Sequence, residues 1–208
     1  MKNKYWQRNP GNRHKRRRIC LVVEGARTEA YYFDALKAAA REAGWHLTVQ
    51  SCGGGSQKQI LDKAIAQIRL LDLRGGDECW CVFDFVGPVG GDKPITQMVA
   101  DAERCGVKVC LSNPCFEVWL LMHFQRWARP LHGAEEARIA LSEKWRDQFN
   151  RPFDKSDHDG LIALAAEAQR AISNAQWVLE QHPSRDVMQS NPSTDVFRVA
   201  KRLLNASL

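Results

Sequence analysis

The chain has 208 residues, 44% of them hydrophobic, with a formal charge of +6. That length suits one domain with a sizeable core. No apolar run approaches the roughly 18 residues of a membrane-spanning helix, and the basic N-terminus lacks the apolar segment of a signal peptide, so a cytoplasmic protein without a membrane partner is expected.

The charge is unevenly spread. Lys2, Lys4, Arg8, Arg13, Lys15, Arg16, Arg17 and Arg18 put eight cations and no acid into residues 1–18, which leaves 22 cations against 24 anions, about −2, for residues 19–208. A basic arm of this kind neutralises phosphates and releases counterions; short basic ends also serve simply as solubilising termini. Tyr5 and Trp6 favour binding, because an aromatic beside cations stacks on a base. Seven cysteines include no CxxC pair and several lie in apolar runs, the pattern of reduced, buried thiols.

In chain order, Ile19-Cys20-Leu21-Val22-Val23 is a strand apolar on every residue, hence buried on both faces, and it stops at Glu24-Gly25. A helix from Thr28 to Gly44 follows, then an alternating strand Trp45–Gln50. Gly53-Gly54-Gly55 leads into a helix with Ser56 as its N-cap. A glycine run before a helix can hold an anion on free N–H groups, but the Lys-Ser/Thr ending of a phosphate loop is missing and a plain connection is the better reading. A third strand, Cys79–Phe83, ends on Asp84. Residues 85–94 form a loop, a helix ends at Gly106, and a fourth strand runs from Val107 to Ser112.

This alternation predicts an α/β fold: a parallel-rich sheet of about four strands flanked by helices. Residues 113–124 read as one helix, capped by Asn113 with Pro114 at its first position. Beyond Gln125 the strand signal disappears. Helices over 134–148, over 160–181 and from Pro192 onward make a helical C-terminal extension, with Asn191, Ser193 and Thr194 as caps of the last. The organisation read from the sequence is thus a basic arm (1–18), an α/β core (19–124) and the extension (125–208).

Ligands bind at the carboxyl edge of such sheets. Glu24 and Asp84 end strands there, and Glu117, the only acid of its helix, falls on the same edge and needs solvent, a cation or a metal. Hard oxygen donors gathered in this way suit Mg²⁺ or Mn²⁺ and the activation of water against a phosphodiester. Carboxylates also cap loops and helix ends, and two of these three could do only that. Arg27, just past Glu24, suits a phosphate or is an ordinary surface arginine. His123 either faces a phosphate or is hydrogen-bonded within the packing.

Val22-Val23-Glu24-Gly25 and the strand ending in Asp84 resemble the Toprim fold of topoisomerases, primases and related nucleases. More specifically, Glu24-Gly25-x-x-Thr28-Glu29-x-Tyr31-Tyr32-Phe33, Val82-Phe83-Asp84, the run Ser112 to Phe124 containing Asn113-Pro114-Cys115-Phe116-Glu117-x-Trp119, and Asn191-Pro192-Ser193-Thr194 resemble the RloB family of bacterial restriction and abortive-infection loci. The resemblance implies a Toprim-like core, Mg²⁺ (or Mn²⁺) dependence and nucleic-acid cleavage in defence against phage, with nucleic acid and an ATPase subunit as partners; self-association stays open. Carried over by position, Glu24 is the general acid or base, with Glu117 and Asp84 beside it, and Asp84 is a metal ligand. Where the Toprim pattern reads Asp-x-Asp, this chain reads Asp84-Phe85-Val86, so Asp92 and Glu117 are expected to complete the metal set. Failing that, the chain is a nucleic-acid-binding or regulatory subunit that no longer cleaves. Lys15, Arg16, Arg17, Arg18, Arg27 and His123 are the expected nucleic-acid contacts.

Overall fold

The computed structural model describes residues 16–85 and 94–205. Lys15, Val86 and Asp92 lie outside them, so the expectations placed on these residues have no structural counterpart here.

The fold is α/β, built on a five-stranded sheet ordered β2-β1-β3-β4-β5. The strands are β1 (Arg17–Val23), β2 (Trp45–Ser51), β3 (Glu78–Asp84), β4 (Val107–Asn113) and β5 (Ser193–Thr194). The first four are mutually parallel, and only β5 is antiparallel to its neighbour. From Ile19 to Val23 β1 is 0–1% exposed, the burial expected of a strand covered on both faces.

The helices are α1 (Thr28–Ala35), α2 (Lys37–Glu42), α3 (Gln57–Leu70), α4 (Ile95–Arg104), α5 (Glu117–Leu121), α6 (Ala134–Phe149), α7 (His158–Ala166), α8 (Ala168–Gln181) and α9 (Val196–Leu204). The chain leaves β1 in one direction to form β2, then returns past β1 to form β3. The order therefore reverses between β1 and β3, and the crevice outside the carboxyl ends of two such strands is where open α/β sheets take their ligands. Glu24 follows β1 and Asp84 ends β3, so this reversal places both carboxylates at the mouth of that crevice.

Several sequence expectations change. Arg17 and Arg18 belong to β1, so the basic arm stops short of them. The first helix breaks at Leu36 into α1 and α2, and the 160–181 helix begins at His158 and breaks at Glu167. The 113–124 segment is not one helix: Asn113 closes β4, the Asn113–Pro114 peptide is cis, and the helix proper is the five residues of α5. Burial explains that misreading, since an apolar run marks burial equally well in a helix and in irregular backbone.

Ser193 and Thr194 are a strand rather than the opening of α9. Thr194 Oγ1 lies 2.8 Å from Ser112 Oγ and accepts from Val196 N at 3.2 Å. Asn191 bonds both backbone groups of Leu131, at 3.1 and 2.8 Å. The C-terminal segment thus supplies a sheet strand as well as helices, and a two-residue strand is too short to show a period of two. Ser56 does cap α3, reciprocally with Gln59. The cysteines are free, with Cys20, Cys79, Cys81, Cys110 and Cys115 buried. Among the described residues no helix is long and apolar enough to cross a membrane.

Candidate active site at the carboxyl edge

Glu24 is held by backbone bonds on both sides: its N–H donates to Val82 O (3.2 Å) and its carbonyl accepts from Gly54 N (2.9 Å). Gly53, Gly54 and Gly55 all have positive φ, between 70° and 134°, the left-handed backbone that lets this short turn fold back onto β1. The glycine run is thus a wall of the crevice. The Glu24 carboxylate reaches across to β3, where Oε2 accepts from Asp84 N at 3.2 Å. Asp84 Oδ1 in turn accepts from Phe116 N at 2.8 Å, which ties β3 to the entrance of α5 and carries Glu117 into the group. Glu117 is 6% exposed.

Glu29, in the first turn of α1, completes the cluster; the sequence shows it only as part of a motif. Its Oε1 accepts from Gly25 N at 3.1 Å. A Cβ added at Gly25 would lie 2.2 Å from Glu29 Oε2, so the glycine after Glu24 is what allows the Glu29 carboxylate to fold back over the strand end.

The electrostatics follow from this crowding. Burial, and then the charges of Glu24, Glu117 and Glu29, push the Asp84 carboxyl up to about 8. Burial raises Glu29 as well, with Glu117 and Glu24 adding to it. One cation forms an ion pair with the cluster among the described residues: Lys155 Nζ lies 3.5 Å from Glu117 Oε1, and the Glu117 charge raises its ammonium above the ordinary range.

Lys155 is delivered by the polar 151–159 loop, and that loop is firmly built. Asp157 caps α7 through Gly160 N (3.0 Å), accepts from Trp145 Nε1 (2.9 Å) and pairs with Arg151 (2.7 Å). Arg151 holds the Asp157 carboxyl down to about 2. The Lys155 carbonyl accepts from Thr28 Oγ1 at 3.3 Å, and Tyr31 meets His158 edge-on at 5.3 Å. A sequence-level signal existed in the Asp157-His158-Asp159-Gly160 capping pattern, but nothing in it pointed toward Glu117.

The chain belongs to the RloB-like protein family. The family model matches residues 19–203, which include every side chain of the cluster and Lys155. Neither a curated protein nor a solved structure matches the chain.

Of the other residues of this RloB-like protein expected at the site, His123, Arg16, Arg17 and Arg18 lie elsewhere. His123 is 2% exposed, with Nε2 3.1 Å from Tyr32 Oη and Nδ1 3.1 Å from Trp119 O; burial pulls its pKa down to about 4. It is a packing histidine out of reach of a phosphate, because α5 turns its apolar side and His123 together into the core. Arg16, Arg17 and Arg18 stand at the opposite end of β1, about 20 Å from Glu24 at the rise of an extended strand. Arg27 is exposed beside Glu24 and near the 151–159 loop, where its charge helps lower Asp154.

The donors present suit a hard divalent cation in chemistry: carboxylate oxygens, excess negative charge and one ammonium. Among the described residues, no three His, Cys, Asp or Glu side chains are spaced to hold one ion as they stand. The backbone bonds to Glu24, Asp84 and Glu29 account for that spacing, since each holds one carboxylate oxygen against the backbone N–H of a neighbouring segment. Mg²⁺ commonly uses only one or two carboxylates and keeps its remaining waters, so a closed cage is not required for a fit.

Proposed function

We infer that this RloB-like protein is a Mg²⁺- or Mn²⁺-dependent nuclease of a bacterial anti-phage or abortive-infection system. One observation carries the reading: Asp84 is pushed to about 8 by burial and by three neighbouring carboxylates at the strand-order reversal, and among the described residues Lys155 makes the one ion pair with that cluster. A fold gains nothing by gathering unpaired negative charge on a partly buried edge; a cation-requiring reaction does. The defence setting rests on the family membership and its resemblance to restriction-linked proteins, and cytoplasmic action on nucleic acid follows from it.

In this reading Asp84 and Glu117 provide oxygens for the metal, and Glu24, at the strand end, accepts or donates the proton of the reaction. A divalent ion bound there supplies Lewis-acid stabilisation of the phosphate and an acidified water. Lys155 and Arg27 meet the substrate's phosphate charge, and Glu29, held by Gly25, fixes the negative potential that draws the cation in. Purified protein should cleave plasmid DNA, single-stranded DNA or transfer RNA with Mg²⁺ or Mn²⁺, alone or with an ATPase partner. Glu24→Gln and Asp84→Asn should each lower the rate about 100-fold or more. Absence of cleavage on all three substrates under both conditions overturns the assignment.

A second reading has its own observation. Val86 stands where the Toprim pattern has an acid, and the described side chains do not close a three-donor cage. This favours a subunit that binds nucleic acid without cutting it. Calorimetric titration with Mn²⁺ separates the two: heat that disappears in Asp84→Asn supports the enzyme, and none in the wild type supports the binding subunit.

A further inference from the structure

The amino edge of the sheet carries a second basic feature that the carboxyl-edge reading leaves unused. Two adjoining cavities of about 430 and 400 Å³ lie there, and Arg16 lines both. The first is walled by Lys37, Arg41, Trp45 and His46, and the second by Arg17, Arg18 and Arg74.

Together the linings hold six Lys or Arg residues and three carboxylates, Asp34, Asp72 and Asp77. Each carboxylate is already paired: Asp34 with Lys37 (2.7 Å), Asp72 with Arg74 (2.6 Å) and Asp77 with Arg18 (2.6 Å). Arg18 also donates to the carbonyls of Leu71 and Asp72, both at 2.6 Å, and so closes the end of α3. Three cations remain: Arg16, Arg17 and Arg41 are exposed and pair with no carboxylate of the described residues. The Arg17 guanidinium lies 5.7 Å from the centroid of the Trp45 ring, and the buried Trp45 Nε1 has no acceptor.

We propose that this amino edge is a second nucleic-acid contact, gripping successive phosphates of a single strand through Arg16, Arg17 and Arg41. A compact anion would need one basin, whereas two basins sharing an arginine wall suit phosphates spaced along a backbone. The sequence just upstream adds Lys2, Lys4, Arg8, Arg13 and Lys15, a charge density matched to a polyanion rather than to one nucleotide. Contacts of this kind position a strand without reading its sequence. The site lies about 20 Å from Glu24, so a strand held here has its reacting bond elsewhere along the chain or is bound for anchoring alone.

The test is fluorescence anisotropy of the full chain with a fluorescein-labelled 20-nucleotide RNA, in EDTA so that cleavage plays no part. The double reversal Arg16→Glu/Arg41→Glu should weaken binding by roughly tenfold or more and flatten the dependence of log K on log salt by about 1.4, the share of two phosphates on a single strand. Asp84→Asn should leave that slope unchanged, which keeps failure at this edge distinct from failure of the nuclease reading. Arg146→Glu/Arg185→Glu, an equal charge change elsewhere on the surface, is the control. If the reversal unfolds the protein, Arg16→Gln/Arg41→Gln is measured instead. Unchanged affinity and slope overturn the proposal, as do equal losses in the control. Capture of ATP or inorganic phosphate by Arg16 and Arg41 with RNA binding unaffected by their reversal also overturns it, since the ligand is then a small anion.

Discussion

At the amino edge, Asp77 and Glu78 stand beside Arg18, Lys108 and Arg202, whereas at the carboxyl edge Glu24, Glu29, Asp84 and Glu117 have, among the described residues, one ion-paired cation, Lys155 at Glu117. Burial alone would raise Asp77 and Glu78. The hydrogen bonds from Arg18 to the first, and from Trp80, Lys108 and Arg202 to the second, outweigh it and bring both below the ordinary carboxyl range. At Asp84 the hydrogen bond from Phe116 N does not outweigh burial and the neighbouring carboxylates. The same residue type is thus structural at one end of the sheet and electrostatically unsatisfied at the other. That contrast, more than the mere presence of acids, singles out the carboxyl edge as the place for chemistry.

The largest expected effect comes from Asp84→Asn, which should lower cleavage about 100-fold or more while stabilising the metal-free protein. A carboxyl raised from 3.8 to about 8 favours the folded state most in its protonated form. That contribution is complete below about pH 4 and is lost as pH rises through about 8. Thermal melts in EDTA should therefore show the variant several degrees above wild type at pH 8 and level with it near pH 4. A variant no more stable at pH 8 breaks the contrast between the two edges.

Asp77→Ala should do the reverse. It removes the acceptor of Arg18 N, Arg18 Nε and Arg74 N, at a cost of about 1–3 kcal/mol in urea unfolding, and leaves cleavage unchanged. Because Asp77 is lowered below 3.8, its contribution stands above that pH and declines as pH falls through its folded value.

Gly25→Ala should reduce cleavage roughly tenfold with less than about 1 kcal/mol of stability change. The atoms nearest the added Cβ all belong to the movable end of Glu29, which swings away from the site and leaves the fold in place. Lys155→Met should have the smallest effect on stability, within about 1 kcal/mol, because the Lys155 end of the pair is exposed and at 3.5 Å from Glu117 water can take the place of its ammonium. A larger loss would mean that Lys155 neutralises the carboxyl edge as thoroughly as Arg18 does the amino edge.

Much of this was legible in the residues. β1 announced itself by five unbroken apolar residues, β3 by an apolar run ending in Asp84, and Ser56 by standing between a glycine run and a helical pattern. Their signals are local, because burial on two faces and capping act within a few residues. Glu24, Asp84 and Glu117 were found for the same reason: each terminates or interrupts an apolar segment and so falls at an edge. Glu29 was missed because a glutamate in the first turn of a helix is ordinary there, and only the close approach of Gly25 turns it toward the strand end. Lys155 was missed because its partner lies 38 positions earlier and nothing periodic connects them.

The sequence by itself determined the parallel core, the positions where its strands stop and the acidic character of its carboxyl edge, since strand burial and helix capping are properties of short stretches. Only the tertiary structure decided the strand order that sets Glu24 beside Asp84, the docking of the 151–159 loop that brings Lys155 to Glu117, and the inward turn of His123. It also parted Arg18, which closes the end of α3, from Arg16 and Arg17, which pair with no carboxylate of the described residues. Those outcomes rest on contacts between segments distant in the chain, where the energy of packing and of charge depends on which surfaces meet.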